Sequence, residues 1–187
     1  MKSLLVINDL HIPFQRDDIL EIIEACKDDI SAIIFGGDTI DCKSISSFPD
    51  LDDMTIEYEL EMAIRFIKSV RKIVGDEVKL IVIKGNHEMR WEKYIAKMHD
   101  KKLYKFINPN VLEMLREGMT LYKDDKVVNI EGDKELVVVN NWYTVYNRVL
   151  VCHPTNFYSQ PAKNATVAVQ YFRGKEEFKV LICAHSH

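Results

Sequence analysis

The side chains able to do chemistry in this chain are gathered into five short stretches. They are Asp9-Leu10-His11, Gly37-Asp38-Thr39-Ile40-Asp41, Gly85-Asn86-His87-Glu88, His153, and His185-Ser186-His187. Five of the six histidines fall in them; only His99 stands apart, with no partner in sequence and no role assigned to it. Carboxylate oxygen, imidazole nitrogen and amide oxygen are the donors that suit a pair of divalent transition ions. Two such ions about 3.5–4 Å apart can hold both the attacking and the leaving oxygen of a phosphoryl displacement. They also acidify a bound water, so that hydroxide is present near neutral pH.

Each stretch stands at or just past the end of an apolar run. The runs are Leu4-Leu5-Val6-Ile7, Ala32-Ile33-Ile34-Phe35, Leu80-Ile81-Val82-Ile83, Val149-Leu150-Val151-Cys152 and Val180-Leu181-Ile182-Cys183. Continuous rather than alternating apolarity predicts strands buried on both faces, as in an α/β sheet. In open α/β sheets ligands bind beyond the carboxyl ends of the strands. Folding is therefore expected to bring Asp9, His11, Asp38, Asn86, His153, His185 and His187 to one rim. Alternate residues of an extended segment point the same way, which puts Asp9 with His11 and His185 with His187, although a local turn could let the last two address neighbouring ions. Gly36-Gly37 would let the backbone turn tightly before Asp38, whose single carboxylate can bridge two ions. Gly85 answers the same need before Asn86.

Helical periodicity fills the gaps. Ile19, Ile22, Ile23 and Cys26 follow one helical face. Ile56, Leu60, Ala63, Ile64, Ile67, Val70 and Val74 make a longer stripe that Gly75 can stop. Asn108-Pro109 reads as the opening of a short helix closed by Gly118, and Pro161 as the opening of another running to Gly174. Strands and helices alternate through the first half, which predicts βαβ units. From about Thr120 to Tyr146 the pattern is short and β-like, with Asn140-Asn141 as a turn. This region is expected to supply antiparallel strands completing a second sheet. No repeat or linker divides the chain, so residues 1–187 read as one domain.

Composition sets the outer bounds. The chain has 187 residues, 47% hydrophobic and 29% charged, which fits an ordinary globular domain with a sizeable core. A net charge of −4 argues against a large basic surface for bulk nucleic-acid binding. A local one is not excluded. No two of Cys26, Cys42, Cys152 and Cys183 form a C-x-x-C pair, so zinc-knuckle and thioredoxin-type chemistry are not suggested. Cys152 and Cys183 read as small core residues. The first apolar run is too short for a signal peptide, and no segment reaches membrane-spanning length, so the cytoplasm is the expected compartment.

The five stretches together resemble the calcineurin-like metallophosphoesterase superfamily, whose pattern is D-x-H, G-D-x-x-D, G-N-H-[DE], a lone H, then G-H-x-H. The match runs from near the first residue to the last, and all five pieces occur in order. The resemblance implies an α/β fold of four layers, an αββα sandwich, with a two-metal centre. It implies Asp9, His11, Asp38 and His187 at one divalent ion, and Asp38, Asn86, His153 and His185 at the other. Manganese is the expected metal, with iron, zinc or nickel as alternatives. It gives His87 the role of general acid or phosphate-contacting donor, oriented by Asp41. A histidine suits proton transfer near neutral pH, and a carboxylate on its other nitrogen fixes the tautomer. The activity implied is hydrolysis of a phosphate ester by in-line attack of hydroxide held on the metal pair. A phosphodiester in nucleic acid or a nucleotide is favoured. A phosphomonoester of a nucleotide or phosphoprotein, or a non-catalytic scaffold of the same fold, stands as the alternative. The chain departs from the pattern at Ala184, where glycine is expected, and it stops at the last ligand, so the natural chain is expected to continue and the fold to be truncated.

Other residues carry plainer readings. Taken alone, His153 is an ordinary strand-end histidine; in register with four other clusters it reads as a ligand. Asp41 is also placed to cap a helix, and Glu88 to sit in the first turn of a helix and meet its dipole. Arg90 could reach a substrate phosphate, as Asn86 and His87 could, although an exposed helical arginine is the simpler reading. Trp91 and Tyr94 read as a packing pair. Lys97, Lys101, Lys102 and Lys105, with Tyr104 and Phe106 between them, could guide a nucleic-acid backbone, but a solvated helix face is the simpler account.

Overall fold

A computed structural model describes residues 2–47, 53–98, 110–123, 125–155 and 160–185. In chain order the elements are β1 (Ser3–Ile7), α1 (Ile19–Cys26), β2 (Ile30–Phe35), α2 (Ile56–Val74), β3 (Lys79–Ile83), α3 (Glu88–Met98), α4 (Leu112–Glu117), β4 (Met119–Lys123), β5 (Lys126–Ile130), β6 (Val137–Val139), β7 (Tyr143–Tyr146), β8 (Val149–Cys152), α5 (Pro161–Phe172) and β9 (Val180–Cys183). The five apolar runs are five of these strands. Strands β1, β2, β3 and β6 form one sheet in that order, all parallel. A second sheet has the order β7-β8-β9, with β7 antiparallel and β9 parallel to β8. Among the described residues, strands β4 and β5 pair with each other alone.

The continuous apolar strands are split between two cores by their period-2 alternation. Ile33, Phe35, Leu80 and Val82 face a cluster shared with Ile23 of α1, with Leu60, Ile64 and Ile67 of α2, and with Leu112 and Leu115 of α4. Ile34, Ile81 and Ile83 face the other way, into a cluster with Val151, Val149 and Ile182 of the second sheet. On the far face of that sheet, Leu150 and Cys152 pack with Ala168 and Phe172 of α5. Burial on both faces is thus the physical reason these strands carry no polar alternation.

The helices end where backbone chemistry predicts. Thr55 caps α2 by accepting from the Tyr58 N–H, and Gly75 closes it at φ 78° with its N–H on the Arg71 carbonyl. Gly118 closes α4 at φ 85°, and the Asn110 side chain accepts from the Leu112 N–H at its start. Asn108 and Pro109 lie outside the described residues. Helix α5 opens at Pro161 as expected.

The region from Thr120 to Tyr146 departs from the sequence expectation. Only β7 joins the second sheet as an antiparallel strand. Strand β6 instead extends the first sheet in parallel with β3, and β4–β5 stand as a separate hairpin. The reason lies in Val137-Val138-Val139: Val137 and Val139 enter the core between the sheets while Val138 packs on the helical side. A run apolar on both faces belongs in a covered parallel sheet, not at a half-solvated antiparallel edge. All four cysteines are free thiols. Cys152 is buried, Cys183 half-buried, and they are neighbours across β8 and β9.

Candidate metal centre

The rim beyond β1, β2 and β3 is built by loops that continue to bond after the strands end. The Asp9 N–H reaches the Gly37 carbonyl (3.3 Å), His11 N–H the Asp38 carbonyl (2.8 Å), Ile12 N–H the Thr39 carbonyl (3.0 Å) and Asp41 N–H the Ile12 carbonyl (3.1 Å). Asp9 and His11 do share a side, but not through strand alternation. Asp9 (φ 53°), His11 (φ 50°), Asp38 (φ 49°) and His185 (φ 66°) all adopt the left-handed region. Asp and His tolerate that region better than most residues, and such outliers gather at functional sites. Ala184, in the place of the expected glycine, is buried and outside the left-handed set.

Two glycines are required by close approach. A Cβ on Gly37 (φ 88°) would meet the His153 ring at 2.6 Å. One on Gly85 would meet Asp38 Oδ1 at 2.2 Å, so Gly85 serves proximity rather than a left-handed turn.

Asp38, fully buried, is the centre of the constellation. Its Oδ2 lies 3.2 Å from His153 Nε2, 3.8 Å from His87 Nε2 and 3.9 Å from His11 Nε2. That oxygen is buried and makes no hydrogen bond of sound geometry. Its Oδ1 accepts from the His87 N–H at 2.9 Å. Ligand atoms of Asp9, His11 and Asp38 lie within 4.8 Å of one another, and so do those of Asp38, His153 and His185. A third such group is His11, Asp41 and His87. The Asn86 amide oxygen stands 3.0 Å from His153 Nε2. His185 is tied across by its N–H to Asp9 Oδ2 at 3.2 Å. His187 lies outside the described residues.

The donor set fits divalent cations. His153 Nδ1 faces the Gly36 carbonyl at 3.1 Å, with Asp9 Oδ1 farther off at 3.8 Å; both are acceptors, so that nitrogen carries a proton. Its Nε2 then faces two acceptor oxygens, on Asn86 and Asp38. Such a nitrogen is satisfied either by a second proton or by a cation between it and the oxygens. The same logic holds for His11, whose Nδ1 is taken by Asp41 at 2.8 Å while Nε2 points toward Asp38.

The electrostatics agree. Burial alone would lower the pKa of His153, but the close Asp38 carboxylate, with the charges of Asp9 and Glu88, outweighs it and the pKa is raised. Burial is likewise overcome at His11 by the Asp41 hydrogen bond and the charges of Asp38, Asp41 and Asp9. Burial would raise Asp41, yet its hydrogen bonds from His11 and His87 hold it well below the usual carboxylate range. Asp38 is also lowered, its burial outweighed by His153 and His87. The rim attracts positive charge, and protons compete there with metal ions.

His87 sits at the edge of this cluster. Its Nδ1 contacts the Asp41 carbonyl at 2.7 Å and Asp41 Oδ1 at 2.9 Å. Its Nε2 is met by the Arg90 guanidinium at 2.8 Å, and Arg90 also donates to the Asp41 carbonyl at 3.0 Å. Arg90 is therefore folded onto the site rather than splayed into solvent as a simple helical arginine. Asp41 caps no helix; the short turn at Lys43–Ile45 follows Cys42 without a side-chain cap.

A family model described as calcineurin-like phosphoesterase matches residues 2–187. The chain belongs to the calcineurin-like phosphoesterase family. No curated protein and no solved structure matched significantly. Membership makes this calcineurin-like chain a metal-dependent phosphohydrolase by family, with His/Asp clusters able to bind metal. No helix among the described residues is long and apolar enough to cross a membrane.

The residue that sequence reasoning misjudged is Glu88. It does open α3, but its carboxylate is buried at 1% exposure. Oε1 accepts from the N–H groups of Thr39 (2.7 Å) and Ile40 (3.0 Å), Oε2 from those of Gly85 (2.8 Å) and Asp38 (3.1 Å). Burial and the charge of Asp38 push its pKa up, and the N–H donors work against that. Glu88 is the bolt that holds the Asp38 loop to the Asn86 loop. One signal pointed to it: the Gly37–Ile40 segment leaves a strand carrying N–H groups that need acceptors. Trp91 packs against the first core, whereas Tyr94 is 39% exposed. Lys101, Lys102, Tyr104, Lys105, Phe106 and His99 lie outside the described residues.

Proposed function

We propose that the chain hydrolyses a phosphodiester on a centre holding two divalent cations, manganese first among them. Asp9, His11, Asp38 and His187 would hold one ion, and Asp38, Asn86, His153 and His185 the other. When bound, the ions would activate a water for in-line attack and offset charge on the phosphoryl oxygens. The rest falls to side chains of this chain. Asp41 fixes the His87 ring through Nδ1, so that Nε2 carries the exchangeable proton toward the leaving oxygen. Arg90 now donates to His87 Nε2; when substrate arrives it turns to a phosphate oxygen and frees that nitrogen to take up from solvent the proton it then gives to the leaving oxygen. Residues 1–187 act as one domain, and the three apolar clusters are the interlayer cores of a helix–sheet–sheet–helix stack.

The observation that carries the proposal is the Asp38 Oδ2 atom, buried without a hydrogen bond and facing three imidazole nitrogens between 3.2 and 3.9 Å away. The test is turnover of bis(p-nitrophenyl) phosphate and p-nitrophenyl phosphate with added manganese, for the wild type and His87→Asn. Diester turnover that exceeds monoester turnover and is lost in the variant supports the reading. Preference for the monoester assigns a phosphomonoesterase instead. No turnover of either, with metal bound, leaves a scaffold of the same fold.

A further inference from the structure

A cleft of about 510 Å³ opens beside the metal rim. Its walls include Asn86 and Arg90 at the rim, then Lys93, Tyr94 and Lys97 along α3, with Ser44 and Ser47 opposite. Arg90, Lys93 and Lys97 recur at helical spacing, so they lie on one face of α3. At about 1.5 Å of rise per residue, that row extends about 10 Å from the rim. Lys93 and Lys97 are exposed and make no ion pair among the described residues. Several other lysines are held by carboxylates: Lys27 by Glu24, Lys84 by Glu92, Lys123 by Glu61 and Lys134 by Glu117. In a chain of net charge −4, unpaired ammonium groups directed at one cleft are a local reversal of sign. Tyr94, 39% exposed between the two lysines, adds an aromatic face.

A row of cations starting at the scissile position, flanked by an aromatic ring and hydroxyls, matches a chain of phosphates carrying bases. Cations track the backbone and the ring stacks a base, a combination that binds single strands with little sequence preference. We propose that this cleft seats single-stranded nucleic acid, with Lys93 and Lys97 on phosphates next to the one at the rim and Tyr94 under a base. This deepens the phosphodiesterase reading, since it names the substrate class of the same site.

The test separates binding from turnover. A fluorescein-labelled oligo-dT of about ten nucleotides, a length within the reach of such grooves, is titrated with the full chain in EDTA, and anisotropy is read across a salt series. The double variant Lys93→Ala/Lys97→Ala is expected to bind at least about tenfold more weakly. Its salt slope should fall by about 1.4, at about 0.7 per cation for single strands. Tyr94→Ala should weaken binding at least several-fold. Lys27→Ala/Lys134→Ala, which removes two paired surface lysines, should leave binding as in the wild type, and circular dichroism checks that each variant is folded. Wild-type binding that is undetectable, or equal losses in both double variants, overturns the assignment. So does displacement by tripolyphosphate as effective, per phosphate, as by unlabelled oligonucleotide. Failure of the hydrolase reading would appear separately, as no turnover of bis(p-nitrophenyl) phosphate with manganese, and would not alter the anisotropy result.

Discussion

The two rims that meet at the candidate metal centre are built differently. Beyond the first sheet, the loops after β1 and β2 bond to each other through backbone groups, and the buried Glu88 carboxylate ties the loop after β3 to the loop after β2. Beyond the second sheet, His153 and His185 follow their strands almost at once. Much of their contact with the first rim runs through groups that are candidate ligands: His153 Nε2 to Asn86 and Asp38, and the His185 N–H to Asp9. The first rim is held together by backbone bonds and Glu88. The second has backbone bonds of its own, from the His153 N–H to the Trp142 carbonyl and from the Ala184 N–H to the Cys152 carbonyl, but it is set against the first largely by side chains that metal ions would compete for. Preorganised ligands on rigid elements bind more tightly than ligands that must first be ordered, so the two rims should respond unequally to mutation and to metal.

The largest difference should come from Glu88→Ala. It strands four buried N–H groups at a cost of about 1–3 kcal/mol each, a total comparable with the ~5–15 kcal/mol that holds an ordinary domain together. Chemical denaturation should show little or no folded population. His153→Ala, on the other rim, strands the Gly36 carbonyl and leaves a cavity but unties no loop, and should retain a cooperative transition. If the two variants lose equal stability, the contrast between the rims is gone.

How far this was legible in the sequence follows from the same contrast. The second rim is simple: Val149–Cys152 and Val180–Cys183 end at His153 and His185, and the local pattern suffices. The first rim is not. That Asp9 and His11 converge through left-handed turns, and that Glu88 turns inward, depends on acceptors and donors supplied from segments far apart in sequence. Glu88 sits about fifty positions from its partners Asp38, Thr39 and Ile40. A local rule sees a first-turn acid there and assigns it to the helix dipole. Strand β6 departs from the sequence expectation for a related reason: three valines announce burial, but not which sheet provides it.

Next in size is metal affinity. Asp38→Asn removes the charge shared by both candidate ion groups, and metal content after dialysis should fall to background, with affinity for manganese down more than about 100-fold. Changing a group that only orients a ligand typically costs 10–100-fold, and Asp38 is placed to ligate directly. His153→Ala touches one group and should spare the other, so plasma emission spectrometry should find close to half the wild-type metal. Equal depletion by the two substitutions would mean that the ions bind only as a pair.

Stripping the metal should be felt unevenly as well. A ligand present at about 100 times its dissociation constant stabilises the folded state by about 2.7 kcal/mol, which EDTA would remove. Hydrogen exchange should then speed up most in β8 and β9 and least in β1 to β3, because the first rim keeps its backbone bonds without metal. Uniform acceleration across both sheets would show that the ions stabilise the domain as a whole.

The smallest effect tests the seam between the rim and α3. Arg90 reaches both His87 Nε2 and the Asp41 carbonyl, so it competes for the nitrogen that is proposed to give up a proton. If it also takes a phosphate oxygen during turnover, Arg90→Ala should raise KM for bis(p-nitrophenyl) phosphate about tenfold, the size of one charge-assisted hydrogen bond, with kcat changed less. Arg90→Lys keeps the charge but loses the forked geometry, and should recover part of the KM. A drop in kcat with KM unchanged would place Arg90 instead among the groups that only orient His87, and would make it part of the preorganised rim rather than of the substrate's path along α3.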